Sequence, residues 1–116
     1  MQIRATSDKG IKQTMQGYAD ERWDAAKLEA RVKLAVDWAA KHNVRLICDE
    51  FGVYKSFSPA ADRRAWHADV RAIFEKYGIG WTMWQFDNSF GLVRRSGDTL
   101  KVDQDLARAL GLTVKP

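Results

Sequence analysis

The sequence predicts an α/β fold built on two parallel strands, and three observations carry that expectation. Segments whose apolar residues recur at helical spacing alternate along the chain with short runs of strand periodicity. Residues 79–86 are largely apolar on both alternate faces, with Gly80, Thr82, Trp84 and Phe86 on one and Ile79, Trp81, Met83 and Gln85 on the other, as in a sheet covered on both sides. The 116 residues, 46% hydrophobic and 29% charged, suffice for one core and therefore one domain.

Residues 1–16 are polar, include Gly10 and lack sustained periodicity, so they are expected to form an N-terminal arm or loop, leaving residues 17–116 as the structural unit. Across residues 24–42, Leu28, Val32, Ala35, Val36 and Ala39 define a helix, with Asp24 placed to cap its start and Asn43 to end it. Residues 44–48 follow as the first strand, and a period of two puts Val44, Leu46, Cys48 and Glu50 on one face. Ser58-Pro59 supplies an N-cap and a first-turn proline for a second helix, whose stripe is Trp66, Val70, Ile73, Phe74 and Tyr77 before Gly78. Residues 79–86 are the second strand. The turn signal Ser96-Gly97-Asp98 lies between residues 91–93 and 99–102 and predicts a hairpin. Asp103 caps a last helix over residues 104–110, stopped by Gly111. Strand, helix and strand in succession make a parallel crossover unit.

Composition excludes several classes of function. A single cysteine, Cys48, rules out an internal disulfide framework, and no Cys and His cluster has the spacing of a metal site, so neither metal nor cofactor is expected. No apolar run is long enough for a membrane span, and Met1 to Gly10 lacks the apolar core of an export signal. The charge balance, 19 basic against 15 acidic residues, gives a net +4. Basic residues nevertheless alternate with acids, as in Asp20-Glu21-Arg22 and Asp62-Arg63-Arg64, instead of clustering into a phosphate-tracking stripe. Nucleic acid and membrane are thus not expected partners.

Two features carry chemistry. In α/β sheets and barrels ligands meet the carboxyl ends of the strands, where Asp49-Glu50-Phe51-Gly52 stands. Glu50 ends an otherwise apolar stripe, a costly place for a carboxylate, which calls for either a salt-bridge or capping role or a catalytic one. Near the same sheet end lies Trp84, followed by Asp87-Asn88. A tryptophan there can offer a flat apolar face to a sugar ring while acids and amides bind its hydroxyls, or it can simply pack in the core. His42 and His67 sit on helices away from the strand ends and read as packing residues.

An ordered series of motifs then resembles a known family. It comprises Tyr18, Glu21-Arg22-Trp23-Asp24, Trp38-Ala39, the run Cys48-Asp49-Glu50-Phe51-Gly52-Val53-Tyr54, Arg64, Trp66, Asp69-Val70-Arg71, Gly78-Ile79-Gly80-Trp81, Trp84, Phe90-Gly91-Leu92 and Ala109-Leu110-Gly111-Leu112. From residue 17 to 112 the chain is similar to the C-terminal third of the catalytic domain of glycoside hydrolase family 5, the cellulase family. The resemblance implies a partial (β/α)8 TIM barrel holding strands seven and eight with their flanking helices. It implies that Glu50 is the nucleophile and Trp84 the sugar platform, and that the substrate is a β-linked glucan or related polysaccharide; Asp87, where Gln85-Phe86-Asp87 departs from the family's acid-tyrosine pair, is a further substrate-binding candidate by its place after Trp84. The family is typically secreted.

The family's acid/base glutamate lies in an Asn-Glu-Pro motif on strand four, and no such motif occurs in these 116 residues. Retaining glycosidases need two carboxyl groups about 5–5.5 Å apart, so one carboxylate cannot perform the reaction alone. Two readings follow. The chain is part of a retaining endo-β-1,4-glucanase-like enzyme that works with the missing part of the barrel, or it is a non-catalytic carbohydrate-binding or structural fragment. Backbone accounting adds an expectation about assembly: two strands alone leave two unpaired edges and an open face, read as Val44, Leu46, Cys48, Thr82, Trp84 and Phe86, which a homo-oligomer or the rest of the barrel would cover.

Overall fold

The computed structural model describes residues 7–113. Its elements are helix α1 (Lys9–Glu21), helix α2 (Ala25–His42), strand β1 (Ile47–Phe51), helix α3 (Ala60–Lys76), strand β2 (Gly80–Met83), strands β3 (Val93–Ser96) and β4 (Thr99–Val102), and helix α4 (Gln104–Ala109), with 3₁₀ turns at Lys55–Phe57 and Asn88–Phe90. β1 and β2 are parallel and are joined through α3, while β3 and β4 form an antiparallel hairpin. No helix among the described residues is long and apolar enough to cross a membrane.

The capping chemistry works largely as the sequence predicts. The Asp24 side chain accepts from Lys27 N at 2.9 Å to start α2, and Asn43, at φ 52°, ends it. Asp103 accepts from Leu106 N at 3.0 Å to start α4. Ser58 makes no cap; α3 begins directly after Pro59, whose fixed φ already suits a helix entry.

Three expectations about elements are corrected. Residues 9–16, read as part of an arm or loop, belong to α1; residues 1–6 of that reading lie outside the described residues. Ile11, Met15 and Tyr18 stand at i, i+4 and i+7, a helical spacing that the reading as an arm passed over, and among the described side chains of α1 only Ala19 is not exposed. The first strand starts at Ile47, after Val44-Arg45-Leu46, and the second stops at Met83. β1 also carries a bulge. Its partners run Ile47 with Gly80, Cys48 with Trp81 and Phe51 with Met83, so three steps along β1 match two along β2. The extra residue breaks the period of two, and Asp49 and Glu50 are consecutively exposed before Phe51 turns into the core.

That core is Phe51, Val70, Phe74, Ile79, Leu106 and Leu110, with Leu28, Val32, Val36, Leu46, Cys48, Trp66, Trp81 and Met83 packed around it. Leu46 and Cys48 therefore belong to the helix side of the sheet, so the open face differs from the one read from the sequence in its β1 part, while Thr82, Trp84 and Phe86 stay outside the core. That face carries Ile47, Gly80 and Thr82, followed by Trp84 and Phe86, with Ile47 77% and Phe86 62% exposed. A sheet covered on one side only gives a slab of 47 × 42 × 18 Å. Its radius of gyration is 16.1 Å, against about 13 Å for a compact chain of this length.

The junction of α3 with α4 is polar inside. Arg63, 6% exposed, pairs with Asp103 at 2.5 Å. Burial alone would raise the Asp103 carboxyl, but the Leu106 N–H and the Arg63 guanidinium hold it below its ordinary value. Asp103→Ala would leave Arg63 buried without its partner and remove the α4 cap, with an expected loss of about 3 kcal/mol in denaturant unfolding. Because the folded Asp103 is the stronger acid, its contribution is present above the ordinary value of 3.8 and is lost as pH falls through the folded value. Acid titration of stability below pH 4 should therefore be shallower in Asp103→Ala.

Candidate active site

Glu50, Phe51 and Gly52 have different physical tasks. Phe51 is 7% exposed and anchors the strand end: its ring sits 5.5 Å from Phe74 and 5.5 Å from Trp81, both edge-on, with Trp66 at 6.1 Å and His67 at 5.8 Å. Gly52 lets the second strand's continuation come close, since a Cβ there would lie 2.0 Å from the Trp84 carbonyl oxygen. The Trp84 N–H in turn donates to the Phe51 carbonyl at 2.8 Å. Glu50 is exposed near the carboxyl end of β1, directly before the immobilised Phe51 ring and the backbone clamped to Trp84.

Around this point the backbone is well bonded. The Thr82 hydroxyl donates to the Asp49 carbonyl, and the Cys48 thiol donates to the Glu50 carbonyl at 3.3 Å. Burial pushes the Cys48 thiol up, against the pull of that bond, so it stays a neutral packing group. The peptide bond between Trp84 and Gln85 is cis. Beyond it, Leu92 N bonds Gln85 O at 3.0 Å and Val93 N bonds Phe86 O at 2.8 Å, closing the loop after β2. Gly91 is needed for that closure, because a Cβ there would meet the Asp87 backbone at 2.3 Å. Tyr54 and Phe90 bring the two strand-end loops together with ring centroids 5.4 Å apart. Lys55 of the first loop donates to Val93 O at 3.2 Å, and burial lowers its ammonium below the ordinary value.

The structure brings two of the three sequence-predicted site residues to one strand-end shelf. Glu50 is exposed at the end of β1, and Trp84 stands 47% exposed immediately past β2. Asp87 lies in the loop that follows but is already engaged, by Arg95 at 3.5 Å and by the Asn88 side chain at 3.0 Å. The clamp between Gly52 and Trp84 was not read from the sequence, although a glycine two residues after the strand-end acid was its available signal. Among the described residues no group of His, Cys, Asp or Glu could hold a metal ion. An open cleft of about 650 Å³ lies elsewhere, between α1 and α2 beside Trp23 and Arg31, and includes none of the three residues.

No protein-family model matches the sequence. Among curated proteins, Endoglucanase 3 of Fibrobacter succinogenes is 30% identical over 97% of this chain, which spans 16% of that protein's length. Among solved structures, the cellulose synthase subunit Z of Clostridioides difficile superimposes with a TM-score of 0.68 at 34% identity, covering 74% of this chain and 28% of its own. A hyperthermophilic endo-β-1,4-glucanase, solved in complex with substrate, gives 0.67 at 32% identity, covering 78% and 28%. Similarity in sequence and fold over most of its length places the chain among the glycoside hydrolase family 5 cellulases, as a segment of one of their catalytic domains.

Proposed function

We propose that this segment carries the nucleophile half of a retaining endo-β-1,4-glucanase-like site, with β1 and β2 as the seventh and eighth strands of the barrel. The carrying observation is the direct bond between the two strand ends, Trp84 N to Phe51 O at 2.8 Å, which holds the exposed carboxylate of Glu50 and the exposed ring of Trp84 on one shelf. Glu50 attacks the anomeric carbon, Trp84 stacks on the sugar being cleaved, and Asp87 with Asn88 borders the same subsite. The acid that protonates the departing oxygen comes from a strand outside these residues. A β-linked glucan fits this arrangement, and the endo-β-1,4-glucanase among the structural relatives was solved with its substrate bound.

A second reading is a carbohydrate-binding or structural fragment without turnover, supported by the exposed ring of Trp84, which can hold a sugar without any carboxylate taking part. The two readings separate in one experiment. The chain is mixed with the complementary barrel segment of a family member and assayed on a soluble β-glucan, alongside Trp84→Ala. Hydrolysis is expected only from the mixture, and Trp84→Ala should weaken oligosaccharide binding by about tenfold, the worth of one stacked ring. A mixture that binds sugar without cleaving it would establish the second reading. The same mixture tests assembly: the exposed Ile47, Trp84 and Phe86 and the unpaired sheet edges are covered by the complementary barrel segment or, in its absence, by a second copy of the chain.

A further inference from the structure

His67, on α3, packs against the end of β1 through the Phe51 ring. It is completely buried, at 0% exposure. Its Nδ1 lies 2.6 Å from the Arg63 carbonyl oxygen, which can only accept, so Nδ1 carries the proton and donates it. Nε2 then bears the lone pair and is buried with no partner. The ring lies 5.8 Å from Phe51 and 5.2 Å from Trp66. Of the charged groups that act on it, Arg63 stands on its own helix and Asp103 at the head of α4; from β1 it meets the Phe51 ring, while the carboxylates of Asp49 and Glu50 are exposed.

We propose that neutral His67 is a positioning residue for Glu50, holding the Phe51 ring and with it the Glu50-Phe51-Gly52 strand end, and that protonation of its Nε2 releases that strand end. The role in catalysis rests on the reading of Glu50 as nucleophile. Protonation would create a buried cation whose new N–H has no acceptor, beside an Arg63 guanidinium whose Nη1 is itself buried and unpaired. The cluster accommodates the neutral ring and rejects the charged one. Burial accordingly pushes His67 below its ordinary value of 6.5; the Arg63 carbonyl opposes the shift, the Arg63 charge adds to it, and Asp103 opposes it. The released state, in which the ring is wet, binds the proton more strongly. The junction is therefore fully held above pH 6.5 and opens increasingly as pH falls below it, down to the folded value.

Amide hydrogen exchange on the full chain tests this, followed by NMR and corrected for the intrinsic pH dependence. The Trp84 amide, bonded to Phe51 O, reports the strand end, and the Gly80 amide, bonded to Leu46 O at the other end of β2, is the control. Between pH 7 and 5.5 the protection of Trp84 relative to Gly80 should fall progressively below 6.5, by at most about tenfold per pH unit, the slope of one proton. In His67→Asn, which keeps a donor for the Arg63 carbonyl but cannot titrate, the ratio should stay flat. An equal loss at both amides would make His67 a merely structural residue and overturn the proposal, as would an unchanged response in His67→Asn. If that variant fails to fold, the wild-type ratio alone decides. The response should persist in Glu50→Gln, whose hydrolysis is measured separately, so the positioning role and the nucleophile assignment fail independently.

Discussion

Glu50→Gln, reconstituted with the complementary barrel segment, is expected to lose at least about 10³-fold in hydrolysis of a soluble β-glucan. The amide is close in shape to the carboxylate but cannot form the glycosyl ester through which a retaining enzyme passes, and it brings no negative charge to the oxocarbenium-like transition state. Glu50 is exposed and sits outside the core cluster, so the same change should move unfolding by no more than about 0.5 kcal/mol. That contrast, lost turnover at preserved stability, is what distinguishes a nucleophile from a packing or capping acid. Undiminished hydrolysis by the variant would remove Glu50 from the mechanism.

The second large effect lies one residue further on. Phe51→Ala should cost about 3–5 kcal/mol, the range for emptying a large buried aromatic site. Here the upper part of that range is expected, because the Phe51 ring is enclosed by Trp66, His67, Phe74 and Trp81, which belong to two different elements and cannot collapse together into the space. Against a typical total of about 5–15 kcal/mol, a slab-shaped chain with one covered sheet face has little margin. Urea unfolding followed by the tryptophan signal should show the midpoint shift, and a loss under about 1 kcal/mol would mean that the strand end is held by something other than this ring.

Much of the fold was legible because its signals are local. Asp24, Asn43, Asp103, Gly97 and Gly111 act within three or four residues of themselves, and α2, the hairpin and α4 follow from them. Strand limits were less legible. Val44-Arg45-Leu46 has strand composition, yet the ladder with β2 begins only at Ile47, and the bulge that resets the faces has no signature in either strand alone. Position and resemblance single out Trp84 and Glu50 as candidates, whereas the clamp between their strand ends through Gly52 needs the distance of one carbonyl to be seen. His67 was read as an ordinary helix residue. The spacing of Arg63, His67, Val70 and Phe74, at i, i+4, i+7 and i+11, does place the two polar residues on the buried stripe, and a polar pair inside such a stripe was the available warning.

The clamp between the loops after β1 and β2 has a kinetic consequence. Every bond that fixes Glu50 relative to Trp84, from Phe51 to Trp84 and across the bulge from Asp49 to Thr82, is made within this one chain. A complementary segment would therefore meet a half-site already set, and activity should appear at the rate at which the two pieces encounter each other, rising with concentration and showing no slow unimolecular lag once they have docked.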